Sequence, residues 1–121
     1  MRVDETCLDR LCGGDGLGAD PPRWLVVAAH PDDETIGAAG RIVALAATCT
    51  VVHVTDGAPS DRRFFPAGAT NLSRAAYARV RRDEALRALG TAGVDAARVL
   101  CLGMRDQEAS FDMAGLTARL A

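Results

Sequence analysis

The chain has 121 residues with 16 acidic and 14 basic side chains, a formal net charge of −2. That fits one small globular domain and argues against a polyanion-binding surface such as a nucleic acid needs. No stretch reaches the roughly 20 apolar residues a membrane helix needs, and the acidic start (Asp4, Glu5, Asp9) lacks the apolar core of a secretory signal, so a cytoplasmic protein with reduced thiols is expected.

Residues 1–22 read as a flexible leader. Gly13-Gly14-Asp15-Gly16-Leu17-Gly18 does not fit G-x-G-x-x-G, and no strand precedes it. Cys7 and Cys12 are spaced more widely than structural zinc pairs, and no second pair follows. Pro21-Pro22 then leads into an extended segment.

From Arg23 the chain alternates strand and helix. The apolar run Trp24–Ala29 predicts a first strand. Asp33 to Ala47 predicts a helix, with Ile36, Ala39, Val43 and Ala47 near helical spacing. Thr50–Thr55 is a β-branched run predicted to end at the turn signal Asp56-Gly57. A polar loop covers residues 58–70. A second helix is expected from Asn71 or Ser73, both good caps, to Leu89, with Gly90 and Gly93 as stops. Arg98–Leu102 predicts a third strand ended by Gly103, and a last helix starts near Asp112. Cys49 and Cys101 lie beside or within apolar runs and are expected to behave as small buried hydrophobes.

This alternation implies an α/β, Rossmann-like layered fold with a parallel sheet and three βα units. Ligands in such folds bind beyond the carboxyl ends of the strands. Residues 30–34, Asp56-Gly57 and residues 103–106 all fall there. Three parallel strands leave an apolar edge or face uncovered. That predicts an incomplete copy of a larger domain, with self-association as one way to cover it.

The chemistry concentrates in Ala29-His30-Pro31-Asp32-Asp33-Glu34, one imidazole and three carboxylates on a strand-to-helix turn. The spacing of His30 and Asp33 lets a nitrogen and an oxygen face one ion, which zinc accepts and magnesium disfavours. Asp32 between them can take a proton from activated water. Glu34 can orient His30 or a water, and Pro31 fixes the backbone. Ordinary helix capping and dipole matching would account for the same carboxylates.

The stretch Val27-Ala28-Ala29-His30-Pro31-Asp32-Asp33-Glu34-Thr35-Ile36-Gly37 resembles the signature of the PIG-L/LmbE-like N-deacetylases. Thr55-Asp56-Gly57, Arg81-Arg82-Asp83-Glu84-Ala85 with Leu89-Gly90, and Leu102-Gly103-Met104-Arg105-Asp106 follow in the family's order. The resemblance covers residues 23–108. It implies that His30 and Asp33 bind zinc, that Asp32 is the general base, and that Arg81, Asp56 and Gly57 meet substrate. The implied reaction is hydrolysis of an N-acetyl group on an amino sugar of the N-acetylglucosamine type. An exposed Arg81 paired with Glu84 one helical turn on is the alternative for that residue.

Two features depart from the family. Its third zinc ligand is a histidine from a later H-x-x-H segment, which also helps hold the oxyanion. This chain has only His30 and His53, and His53 lies within a predicted strand as a sheet-facing residue. Glu108, Asp106 or a second chain are the substitutes left, and nothing in the sequence recommends them. A non-catalytic α/β sugar-binding module, or a phosphoesterase using Mg²⁺ or Mn²⁺, therefore stands beside the deacetylase reading. In the loop, Arg62, Arg63, Phe64 and Phe65 suit either a substrate contact or a loop anchored by its aromatics.

Overall fold

The computed structural model describes residues 23–121; the expected leader and the Cys7/Cys12 pair lie outside them. Strand β1 (Trp24–Ala28) leads into helix α1 (Asp33–Leu45). Strand β2 (Cys49–Pro59), helix α2 (Arg74–Thr91), strand β3 (Val99–Asp106) and helix α3 (Met113–Leu120) follow. Short 3₁₀ turns at Arg62–Phe64 and Ala67–Ala69 organise the loop between β2 and α2. The sheet is parallel, in the order β1-β2-β3.

Alternation along the strands sorts the two faces of the sheet. Val51 and Val99 meet Ile42 and Leu45 of α1 and Leu89 of α2 in one apolar cluster. Both helices thus cover one face. Leu25, Val27 and Leu100 point the other way and are 59%, 48% and 49% exposed. The uncovered apolar face expected of a three-stranded sheet is present.

Helix ends follow local chemistry. Ser73 Oγ accepts from Ala76 N at 3.1 Å and caps α2. Helix α2 runs two residues past the expected Leu89, so Gly90 lies inside it, and the second expected stop, Gly93 at φ +91°, is where the chain turns away. Gly93 N bonds Gly90 O and Val94 N bonds Leu89 O, the paired bonds of a Schellman ending. Buried Val94 then packs into the core beside Leu89.

Both later strands outrun their predicted ends. Asp56-Gly57 lies within β2 and Gly103 within β3, because glycines at φ +65° and +71° re-aim a strand without ending it. The pairing of β2 with β3 is regular from Val51 to His53 and shifts register after it. The irregular half of the sheet is its carboxyl end, where the candidate site lies. Cys49 is buried and free, and burial pushes its thiol pKa up, as expected of an inert core cysteine. Cys101 is free and half-buried.

Candidate functional site

The turn between β1 and α1 does more than start a helix. Asp112 and Ser73 cap α3 and α2 through their side chains. Asp32, at the same position of α1, makes no capping bond and has φ 146°. Capping therefore does not account for its carboxylate, which stays available at the surface. Asp33 Oδ2 accepts from the main-chain N of His30 at 2.9 Å and lies 3.1 Å from His30 Nδ1. The other ring nitrogen, Nε2, is 2.7 Å from Asp106 Oδ1.

Glu34 does not orient His30. It is buried, and its Oε2 accepts from Asp32 N at 3.1 Å and from His53 Nε2 at 3.0 Å. Helix α1 turns its second residue inward, away from the first, so Glu34 points beneath the turn. Burial alone would raise the Glu34 pKa, but the hydrogen bonds from His53 and the backbone, together with the His53 charge, hold it below its ordinary value. His53 is 1% exposed and is a wall residue, as its place in the strand implied.

Arg81 reaches across from α2. Its Nη2 donates to Pro31 O at 2.8 Å and lies 3.1 Å from Asp32 Oδ2. Its ion partner is Asp32, which replaces the Glu84 pairing considered above: the helix aims this side chain inward at the turn. Gly57 makes the approach possible. A Cβ there would lie 2.8 Å from Pro31 Cδ and 3.3 Å from Arg81 Nε. Asp56 is occupied otherwise, accepting from Arg74 Nη1 with both oxygens and from Ala58 N. It anchors α2 to the end of β2.

These residues open onto a cleft of about 350 Å³, lined by His30, Asp32, Asp33, Gly57, Arg81 and Asp106 with Phe64 and Tyr77. The two phenylalanines of the loop divide. Phe65 is buried against Tyr77 at a centroid distance of 4.7 Å, whereas Phe64 is 61% exposed at the rim.

Zinc donors at 2.0–2.1 Å in tetrahedral array lie roughly 3.3 Å apart, close to the His30 Nδ1 to Asp33 Oδ2 separation of 3.1 Å. That pair fits one edge of a zinc site. Asp106 does not extend it, because it faces the opposite ring nitrogen. Among the described residues no group of three such side chains is placed to hold a metal ion. The fit is therefore to two donors.

Asp106, weighed above as a substitute zinc ligand, is instead the partner of His30 Nε2, a pairing the sequence did not show. The signal that could have found it was the place of Asp106 at the carboxyl end of β3, the rim it shares with His30.

The family model for GlcNAc-PI de-N-acetylase (PIG-L) matches residues 25–121, so the chain belongs to the PIG-L family. A solved structure, N,N'-diacetylchitobiose deacetylase from Pyrococcus horikoshii complexed with its inhibitor MPG, is similar at 26% identity and a TM-score of 0.57. The match covers 88% of this chain and 41% of that one, so this chain spans about two fifths of its length. A search of curated proteins finds no match.

Proposed function

We propose that this member of the PIG-L family carries the proton-handling half of a zinc-dependent N-deacetylase site for an N-acetylated amino sugar. The observation that carries the reading is Asp32. Its carboxylate is released from capping, lines the same cleft as His30 and Asp33, and is held there by Arg81.

His30 and Asp33 would hold the zinc together with donors from outside the described residues. When bound, zinc supplies a Lewis acid for the acetyl carbonyl and lowers the pKa of water to about 7. Asp32 accepts the proton as water adds to the carbonyl carbon. The C–N bond then breaks, acetate leaves, and the proton passes to the amine. Arg81 fixes the Asp32 carboxylate, and its hold on Pro31 O keeps the turn from opening. The exposed ring of Phe64 offers an apolar face to a sugar ring at the rim. The deacetylase of a diacetylated disaccharide among similar structures supports this substrate class.

The two-donor count favours one second reading, a non-catalytic module that keeps the sugar cleft. Zinc content of the purified chain after dialysis, paired with acetate release from N-acetylglucosaminides, separates the two. Near one zinc per chain, lost in His30→Ala, with acetate released, is the expected result. Sugar binding with neither zinc nor acetate would replace it by the second reading. Zinc-independent activity on phosphate esters would overturn both.

A further inference from the structure

A buried imidazole–carboxylate pair lies directly beneath the proposed base. His53 sits in the central strand with Ala28 and Cys101 paired on either side. Its side chain is 1% exposed and that of Glu34 is 0% exposed. A carboxylate only accepts, so His53 Nε2 is the donor in the 3.0 Å contact. The same oxygen, Glu34 Oε2, accepts the main-chain N–H of Asp32 at 3.1 Å. Two hydrogen bonds thus tie the Asp32 main chain to the middle of the sheet.

Asp32 needs such a tie. Its φ of 146° is a conformation that side chains rarely adopt, and it persists only where the surroundings enforce it. Its own side chain does not help, since it makes no capping bond. A buried ion pair is also a poor choice for stability alone, because well-packed apolar residues do as well or better. What the pair provides is a fixed acceptor for one main-chain N–H.

We propose that the buried His53–Glu34 pair is a positioning device that holds the Asp32 main chain in its positive-φ state and so aims the Asp32 carboxylate into the cleft. The catalytic consequence rests on the reading of Asp32 as base; the backbone restraint does not. Neither His53 nor the Glu34 carboxylate touches substrate in this scheme.

The test is hydrogen exchange of the Asp32 amide by NMR in the ¹⁵N-labelled 121-residue chain, with the Leu89 amide in α2 as reference. His53→Gln keeps a donor near the position of Nε2; His53→Leu removes it. Asp32 is expected to exchange slowly in wild type and about tenfold faster or more in His53→Leu, with Leu89 unmoved and His53→Gln restoring the slow rate. A purely structural role would instead shift both amides together. Equal Asp32 exchange in wild type and His53→Leu, or wild-type exchange as fast as a free exposed amide, would overturn the proposal. If His53→Leu does not fold, Glu34→Asp withdraws the carboxylate by one methylene, and unchanged Asp32 exchange there is equally fatal. Turnover of Asp32→Asn tests the base assignment separately, so failure of one idea is not mistaken for failure of the other.

Discussion

The two ends of this sheet solve opposite problems. At the amino end, Trp24 pairs with Cys49 and Val51 with Val99 in unbroken register, and the cluster around Ile42, Leu45 and Leu89 is apolar throughout. At the carboxyl end the register shifts, and Asp32, Gly57, Gly103 and Gln107 all have positive φ. The polar groups buried among the described residues, Glu34, His53 and Thr55, belong to this half. Apolar burial at one end supplies the stability that lets the other hold strain and charge where a ligand can use them. Substitutions at the two ends should therefore fail in different ways.

The largest separation is expected from Asp32→Asn and Leu89→Ala. Asp32→Asn should lower deacetylation by about 10²–10⁴-fold, the usual contribution of a general base. Its partly exposed ion pair with Arg81 limits the change in unfolding free energy to about 1 kcal/mol. Wild-type acetate release from the variant would refute the assignment. Leu89, 1% exposed in the core, should behave in the reverse manner. Its truncation to Ala should cost about 2–5 kcal/mol by denaturant unfolding, with zinc content per folded chain unchanged. A loss of zinc in folded Leu89→Ala would mean that the two ends are not separable.

The same division explains what could be read from the sequence. Apolar period and caps located the three strands and three α-helices of the described residues, because β1, the first half of β2, and the cores of α1 and α2 are set by local pattern and burial. Local signals misjudged the carboxyl end. Asp56-Gly57 and Gly103 are turn residues by composition, yet here they bend strands that continue to Pro59 and Asp106. The crowding of His30, Asp32 and Asp33 was legible from spacing. Their partners were not: Asp106 is 76 positions from His30 and His53 is 19 from Glu34, and only the sheet order brings them together. Arg81 had a plausible partner on its own helix in Glu84, and the tertiary partner, Asp32, won.

Gly57→Ala probes how tightly the strained end is built. The added Cβ meets Pro31 Cδ at 2.8 Å in a left-handed conformation, so strain and overpacking together should cost about 2–4 kcal/mol. It should also push Arg81 off Asp32 and lower turnover. Gly103→Ala has the same backbone cost but open space around the new methyl. It should cost about 1–2 kcal/mol, with turnover retained. Equal losses of turnover in the two variants would show that general loosening of the carboxyl end, and not the Pro31–Arg81 contact, governs activity.

The smallest effect concerns the buried pair, and its sign is fixed by the environment of Glu34. Desolvation works against the charged carboxylate, but the bonds from His53 and the backbone, with the His53 charge, outweigh it and hold the pKa below its ordinary value. A carboxyl whose pKa is depressed on folding stabilises the native state above its unfolded pKa and loses that contribution as the pH falls through the folded value. Glu34→Gln keeps an acceptor of similar shape without the charge and should cost about 1 kcal/mol at pH 7. The difference between wild type and variant, measured by urea unfolding with a chelator present, should therefore be constant through neutral pH and close as the pH falls below the ordinary carboxyl range. A difference that widened on acidification would mean that desolvation dominates at Glu34. The pair would then be a cost carried by the apolar end, and its hold on Asp32 would be strongest in acid, not at neutral pH.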